Sequence, residues 1–239
     1  MKWLLTAATV AVLLALFWTA PRWLLPRLAA RTPRCVYAIP TRERAVALTL
    51  DDGPDSSSTG EILRVLREHD AHATFFLISE HVRGQEALVS SIVADGHEIG
   101  NHLTRDEASI RLSPRDFAAA VRDAGAVLAR FGPVRWLRPG SAWHNETMLD
   151  TIAATGYRCA VASVYPYDPY LPSSRLAAAY ILTNVRPGAI VVLHERRARG
   201  RRTVRTLGRI LPALRARGYR VLTLSELDQL RELAPISRK

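Results

Sequence analysis

An α/β fold of parallel strands, wound as a barrel of about seven βα units, is what this 239-residue sequence predicts. Three observations lead there. Strand-like and helix-like runs alternate from residue 45 almost to the C-terminus. Most are punctuated by Gly, Pro or Ser at the positions where turns and caps need them. The residues able to do chemistry fall where strand-like runs stop, which is where parallel α/β folds place their sites.

The first strand-like run is the most informative. Val46, Ala47, Leu48, Thr49 and Leu50 read as a buried strand, and it halts at Asp51-Asp52-Gly53-Pro54, a turn signal. Neighbouring side chains on an extended backbone point to opposite faces, so both carboxylates share one cleft only if the turn rotates one of them. Ser58-x-x-Glu61 predicts a capping box for a helix carrying Ile62, Leu63 and Leu66. A strand over 72–78 follows, then a helix marked by Leu88, Ile92 and Val93 and closed at Gly96. The run 97–102 ends a third strand. Ser113-Pro114 opens a long helix with Phe117, Val121, Ala124 and Leu128 on one face. A strand over 134–138, a short helix capped by Asn145, a strand over 157–164 and a helix from Ser174 come next. The strand 189–193 stops at His194-Glu195. Val204, Leu207, Leu211 and Leu214 make a helix ended by Gly218, a last strand covers 219–224, and Ser225 is expected to cap a final helix.

Upstream, 1–21 is nearly all apolar and about long enough to span a bilayer. No small-residue pair sits well for cleavage, so an uncleaved membrane anchor is expected, with a secreted product as the alternative. Arg22, Arg27, Arg31 and Arg34 follow the span, and positive charge usually marks the cytoplasmic side, against the extracytoplasmic placement that a wall substrate would need. Pro21, Pro26, Pro33 and Pro40 mark 22–44 as a linker, leaving 45–232 as one catalytic domain.

Composition narrows the partners. The chain is 48% hydrophobic, enough for one core, and its net charge of +11 comes almost wholly from arginine. An anionic surface or polymer fits that charge. Nucleic acid does not, since neither aromatic-basic interleaving nor a finger or RNA-recognition motif is present. Of the two cysteines, Cys35 and Cys159, neither lies in a CxxC. A zinc-thiolate site is therefore not indicated, and a disulfide between them is left open.

Taken only at strand ends, the chemistry-bearing residues are Asp51, Asp52, His102, Arg138, Asp168 and His194. Asp106, four residues after His102, would share its face on a helical turn. Singly, each has an ordinary structural explanation; together they form a constellation. Leu48-Thr49-Leu50-Asp51-Asp52-Gly53-Pro54 resembles the T-F-D-D-G-P signature of the polysaccharide deacetylases, carbohydrate esterase family 4, with its NodB-homology domain. Gly96-His97-Glu98-Ile99-Gly100-Asn101-His102 is similar to the family's second motif, Leu137-Arg138-Pro139-Gly140 to the third, Tyr167-Asp168-Pro169 to the fourth and Val192-Leu193-His194 to the fifth. The resemblance spans 45–230.

It implies a distorted (β/α) barrel and a metal-dependent deacetylase acting on an N-acetylated glycan such as peptidoglycan or a chitin-like polymer. Asp51 would be the general base, Arg138 its orienting partner, His194 the general acid and Asp168 the residue tuning it. Asp52 and His102 would hold a divalent metal ion, zinc foremost, and backbone N–H groups near Ser141 would face the oxyanion. The family's His-x-x-x-His becomes His102…Asp106 here. With Asp106 as third ligand the set is richer in oxygen, which admits manganese, cobalt or magnesium. The third motif lacks the usual aromatic after Pro, and the fourth lacks its Trp. The alternatives are a catalytically inactive glycan-binding module of the same fold, and an anion-binding protein using Arg196, Arg197, Arg199, Arg201 and Arg202, a run that would ordinarily be a solvated loop.

Overall fold

The computed structural model of the chain describes residues 24–232 together with Thr6, Thr9, Ala15, Leu16, Trp18 and Thr19. Most of the expected anchor lies outside the described residues, among which no helix is long and apolar enough to cross a membrane. Trp18 packs edge-on against Tyr180, and its carbonyl accepts a hydrogen bond from Asn184 Nδ2 at 2.9 Å.

The Pro-rich stretch 22–44 carries structure of its own: helix α1 (Leu25–Arg31) and a two-residue strand β1 (Cys35–Val36). The alternating elements follow as β2 (Ala45–Gly53), α2 (Thr59–Glu68), β3 (Thr74–Leu77), α3 (Ser79–Val82), α4 (Glu86–Ala94) and β4 (Glu98–Asn101). After them come α5 (Pro114–Leu128), β5 (Trp136–Leu137), α6 (Glu146–Ala154), β6 (Arg158–Ala160), α7 (Ser174–Asn184), β7 (Ile190–His194), α8 (Ala198–Ala216), β8 (Arg220–Leu222) and α9 (Leu224–Gln229).

All ladders between these strands are parallel, in the order β1-β6-β5-β4-β3-β2-β7. Ala47 pairs with Ile190 of β7 and with Leu222 of β8. Strand β8 therefore lies on the β3 side of β2 and takes its N-terminal half, where β3 takes the C-terminal half. The two edges meet through isolated bridges, Val164 with Val191 and Ala38 with Ala189. The sheet thus curls into an uneven barrel of eight strands rather than about seven. The additional strand, β1, is two residues long and shows no period by which sequence could reveal it.

Strand period does the positioning. Val46, Leu48 and Leu50 join the main core with Ile62, Leu66, Val191, Leu193, Leu207 and Leu211, between sheet and helices. Ala45 and Ala47 point the other way, into the barrel with Phe76, Trp136, Ala160 and Ile190, and α9 closes the bottom with Leu224 and Leu227. A Cβ on Gly100 would come within 2.6 Å of the Phe76 ring, so glycine there makes room for the interior aromatic. Following the same parity upward, Asp51, His102, Arg138 and His194 form the top interior layer.

Two caps differ from expectation. Ser58 precedes α2 but makes no side-chain cap, because its buried hydroxyl donates to the Glu195 carbonyl instead. The last helix is capped by Thr223 in a full capping box with Glu226, not by Ser225, whose hydroxyl donates to Glu98 Oε1. Ser113 and Asn145 cap α5 and α6 as expected.

Candidate active site

The top layer is held by backbone that departs from regular geometry. Asp52 has φ +74°, and the β2–β3 register shifts between Asp51 and Gly53. That bulge turns Asp52 towards the same cleft as Asp51, although their parity alone would separate them. Leu103, Ser141, Tyr167 and Arg197 also have positive φ, so an unusual backbone residue lies within three positions of each of His102, Arg138, Asp168 and His194. Such strain collects where a scaffold aims side chains for function.

Asp51 and His194 are direct partners across β2 and β7. Arg138 Nη1 donates to Asp51 Oδ1 at 2.5 Å and to Thr49 Oγ1 at 2.8 Å. Its Nε and Nη2 donate to the carbonyls of Ala160 and Val161 at 3.2 and 2.8 Å, and its guanidinium lies 4.1 Å over the Phe76 ring. Four acceptors and an aromatic face thus fix one buried side chain, and with it the direction of the Asp51 carboxylate.

His194 Nδ1 faces both Asp168 oxygens at 3.0 and 3.1 Å, and the His194 backbone N–H donates to Asp168 Oδ2 at 3.0 Å. The Nδ1 proton is thereby directed to Asp168, leaving Nε2 for the cleft. Burial alone would lower the His194 pKa, but Asp168, with Asp51 and Asp52 beyond it, outweighs burial and raises it.

His102 Nδ1 donates to the Arg138 carbonyl at 2.7 Å, so its Nε2 faces Asp52 Oδ1, 3.5 Å away. Burial works against ionisation of Asp52, yet His102, His194 and Arg199 overcome it and hold the carboxyl far below its usual range. A carboxylate beside an imidazole whose other nitrogen is anchored to a carbonyl is a donor set suited to a divalent cation. A cationic group already lies there: Arg199 Nη1 is 2.9 Å from Asp52 Oδ2, and its Nη2 is 3.7 Å from Asp106 Oδ2. Asp106 itself is half exposed, in the irregular segment after β4. Among the described residues no three His, Cys, Asp or Glu side chains converge to hold an ion. The structure therefore brings Asp52 and His102 together and leaves Asp106 apart, with the Arg199 guanidinium between the two carboxylates.

The arginine run is not the solvated loop that its composition predicts. Arg196 donates to His81, whose Nδ1 donates to the Asp52 carbonyl at 3.0 Å. Arg199 reaches Asp52, and Arg202 donates to the Asp168 carbonyl at 3.2 Å. Arg197 and Arg201 point outward. Glu195, absent from the sequence-based site, is fully buried beneath Asp51 and Asp52. One of its oxygens accepts from Thr59 at 3.1 Å and the other has no partner. A Cβ on Gly53 would overlap Glu195 Oε1, so the Gly after the two aspartates is required by this contact. Burial, and then the neighbouring carboxylates, push the Glu195 pKa up to about 8. The adjacency of His194 and Glu195 was the one sequence signal for it.

Comparison with known proteins converges on one family. Residues 38–160 match the polysaccharide deacetylase family. A peptidoglycan-N-acetylglucosamine deacetylase of Bacillus cereus is 32% identical over 194 residues, covering 80% of this chain and 91% of that protein. A chitooligosaccharide deacetylase of Bradyrhizobium sp. is 34% identical over 199 residues, covering 77% and 90%. Among solved structures, a peptidoglycan N-acetylglucosamine deacetylase superposes with a TM-score of 0.79 at 26% identity, over 84% of this chain and 95% of that one. A family 4 acetyl xylan esterase from Clostridium thermocellum, in complex with a cobalt ion, gives 0.72 at 29% identity over 82% and 96%.

Proposed function

This chain belongs to the polysaccharide deacetylase family, and from that premise we propose that it is a hydrolase removing N-acetyl groups from an N-acetylglucosamine glycan of the peptidoglycan or chito-oligosaccharide class. The observation that carries the reading is the pairing of Asp51 with His194 across β2 and β7, each backed by a partner of opposite charge character, Arg138 and Asp168. One group is an anchored carboxylate and the other an imidazole with its free nitrogen towards the cleft. That is the base-and-acid pair that amide hydrolysis needs on the two sides of a carbonyl.

Asp51 takes the proton of the attacking water, held in line by Arg138. His194 carries a proton on Nε2 to the departing amine, and its raised pKa keeps that proton available near neutrality. Asp168 balances the imidazolium during that transfer. Asp52 and His102 hold the divalent cation, with Asp106 completing the set. When bound, the cation supplies a Lewis acid that polarises the acetyl carbonyl and acidifies water. The family relationship and the donor set support metal dependence; the identity of the metal is open between zinc and more oxygen-preferring ions.

The N-terminal apolar stretch serves as a membrane tether, with the catalytic domain on the extracytoplasmic side where its glycan lies. This part of the reading rests on the sequence alone. A second reading, a non-catalytic glycan- or anion-binding module, is favoured by the Arg199 guanidinium lying between Asp52 and Asp106. One assay separates the two: acetate release from peptidoglycan and from chito-oligosaccharides, before and after chelation and with zinc, manganese or cobalt restored. Release that disappears on chelation and returns with metal supports the hydrolase. Glycan binding without acetate release under every metal condition supports the module.

A further inference from the structure

We propose that Cys35 and Cys159 are a disulfide site, a covalent cross-link that ties the N-terminal edge strand to the strand supporting Arg138. The two residues are register partners in the parallel β1–β6 pair, and both are buried. Adjacent strands lie about 4.8 Å apart, within the roughly 4.4–6.8 Å between Cα atoms that a disulfide spans. The Sγ atoms are 2.7 Å apart, closer than two sulfurs rest without a bond or a shared hydrogen. No third metal-binding side chain joins them among the described residues, so a thiolate metal site does not compete as an explanation.

The position gives the link a purpose. Strand β1 is the edge of the sheet, two residues long and paired with β6. It is the first strand of the chain, and the segment before it leads to the N-terminal apolar stretch. Ala160 and Val161, directly after Cys159, supply the carbonyls that hold Arg138 Nε and Nη2. A bond at Cys35–Cys159 would fasten β1 against these carbonyls and against any pull on the N-terminal arm. It would close a chain separation of 124 residues, long enough for a substantial effect on the unfolded state.

The chemistry balances by exchange. One thiol loses its proton and attacks a disulfide of a thiol–disulfide oxidant, the second thiol displaces the mixed disulfide, and the oxidant leaves as a dithiol carrying the two electrons. The Cys159 thiol and then burial hold the Cys35 pKa far above the usual range. The exchange therefore belongs to a stage before β1 docks, and the docked bond is shielded from later reduction. Disulfides of this kind persist in oxidising compartments, so the bond also reports where the domain matures.

The test is intact mass of the full chain, trapped with acid directly from cells that produce it, then denatured and alkylated with and without prior reduction. The expected result is no alkyl group before reduction and two after it. Two alkyl groups without reduction overturn the proposal. The stabilising role is read separately: reducing the purified protein should lower Tm by roughly 5–15 °C, and Cys35→Ser should match the reduced parent and ignore reductant. A Tm unmoved by reduction, in protein whose mass shows the bond, overturns that role. The mass measurement stands on the parent protein even if the variant fails to fold.

Discussion

Arg138 and Arg199 are two arginines beside two adjacent aspartates, and their surroundings give them opposite roles. Arg138 is buried and fully engaged, so Asp51 is held in one orientation. Asp51→Asn keeps the shape but cannot accept water's proton. Turnover should fall at least ~10²-fold with bound metal retained, as measured by acetate release and metal stoichiometry on the same sample. Loss of metal in that variant would make Asp51 a ligand instead. His194→Ala should cost roughly 10²–10⁴-fold, the range for removing a general acid, and an unchanged rate would remove it from the mechanism. Arg199 is partly exposed and pairs with Asp52 from the other side, so it competes for the charge a metal would use. Calorimetric titration should find Arg199→Gln binding zinc or manganese roughly tenfold more tightly, about 1.4 kcal/mol. Asp106→Ala should bind more weakly if that carboxylate is the third ligand. Equal affinities in both variants would place neither residue near the ion.

At the scale of elements, the junction between β7 and α8 carries the buried carboxyl of Glu195. Its folded pKa, about 8, lies above the ordinary glutamate value near 4.3, so the folded protein binds a proton that the unfolded chain has released. Stability from this group is complete below about pH 4.3 and is lost as pH rises towards 8, at up to ~1.4 kcal/mol per pH unit. Glu195→Gln keeps a neutral side chain and should therefore gain on the parent in denaturant midpoint between pH 5 and pH 8. Parallel pH profiles for the two proteins would mean that the carboxyl is ionised in the fold. This junction also marks where sequence reading stopped. Strand ends and helix caps are local, and Asp51, His102, Arg138, His194, Ser113 and Asn145 were legible because their turn chemistry lies within a few residues. Ser58 looked like a cap because Glu61 follows it; its actual partner, the Glu195 carbonyl, lies 137 residues away in sequence. The Gly53–Glu195 contact and the two-residue β1 are likewise set by packing between distant segments, which leaves no periodic trace.

At the scale of the whole molecule, the +11 charge raises the question of which arginines are free to meet an anionic glycan. The run from Arg196 to Arg202 reads in sequence as one basic patch, but the fold divides it. Arg196, Arg199 and Arg202 are spent on His81, Asp52 and the Asp168 carbonyl, because the start of α8 leans over the strand ends. Neutralising the whole run would therefore damage the site itself. Arg197 and Arg201 face solvent on the same rim, and they are the pair to change. Exposed charges act through water and are screened over about 10 Å at 0.1 M salt, so their contribution should be large at low ionic strength and fade as salt rises. Arg197→Gln combined with Arg201→Gln is expected to raise KM for an anionic peptidoglycan fragment several-fold at low salt, to leave kcat unchanged, and to flatten the dependence of kcat/KM on salt. A neutral chito-oligosaccharide should be unaffected by the same double change. Equal losses on the charged and the neutral glycan would assign these two arginines to the stability of the α8 terminus, and the excess charge would then act on something other than the substrate.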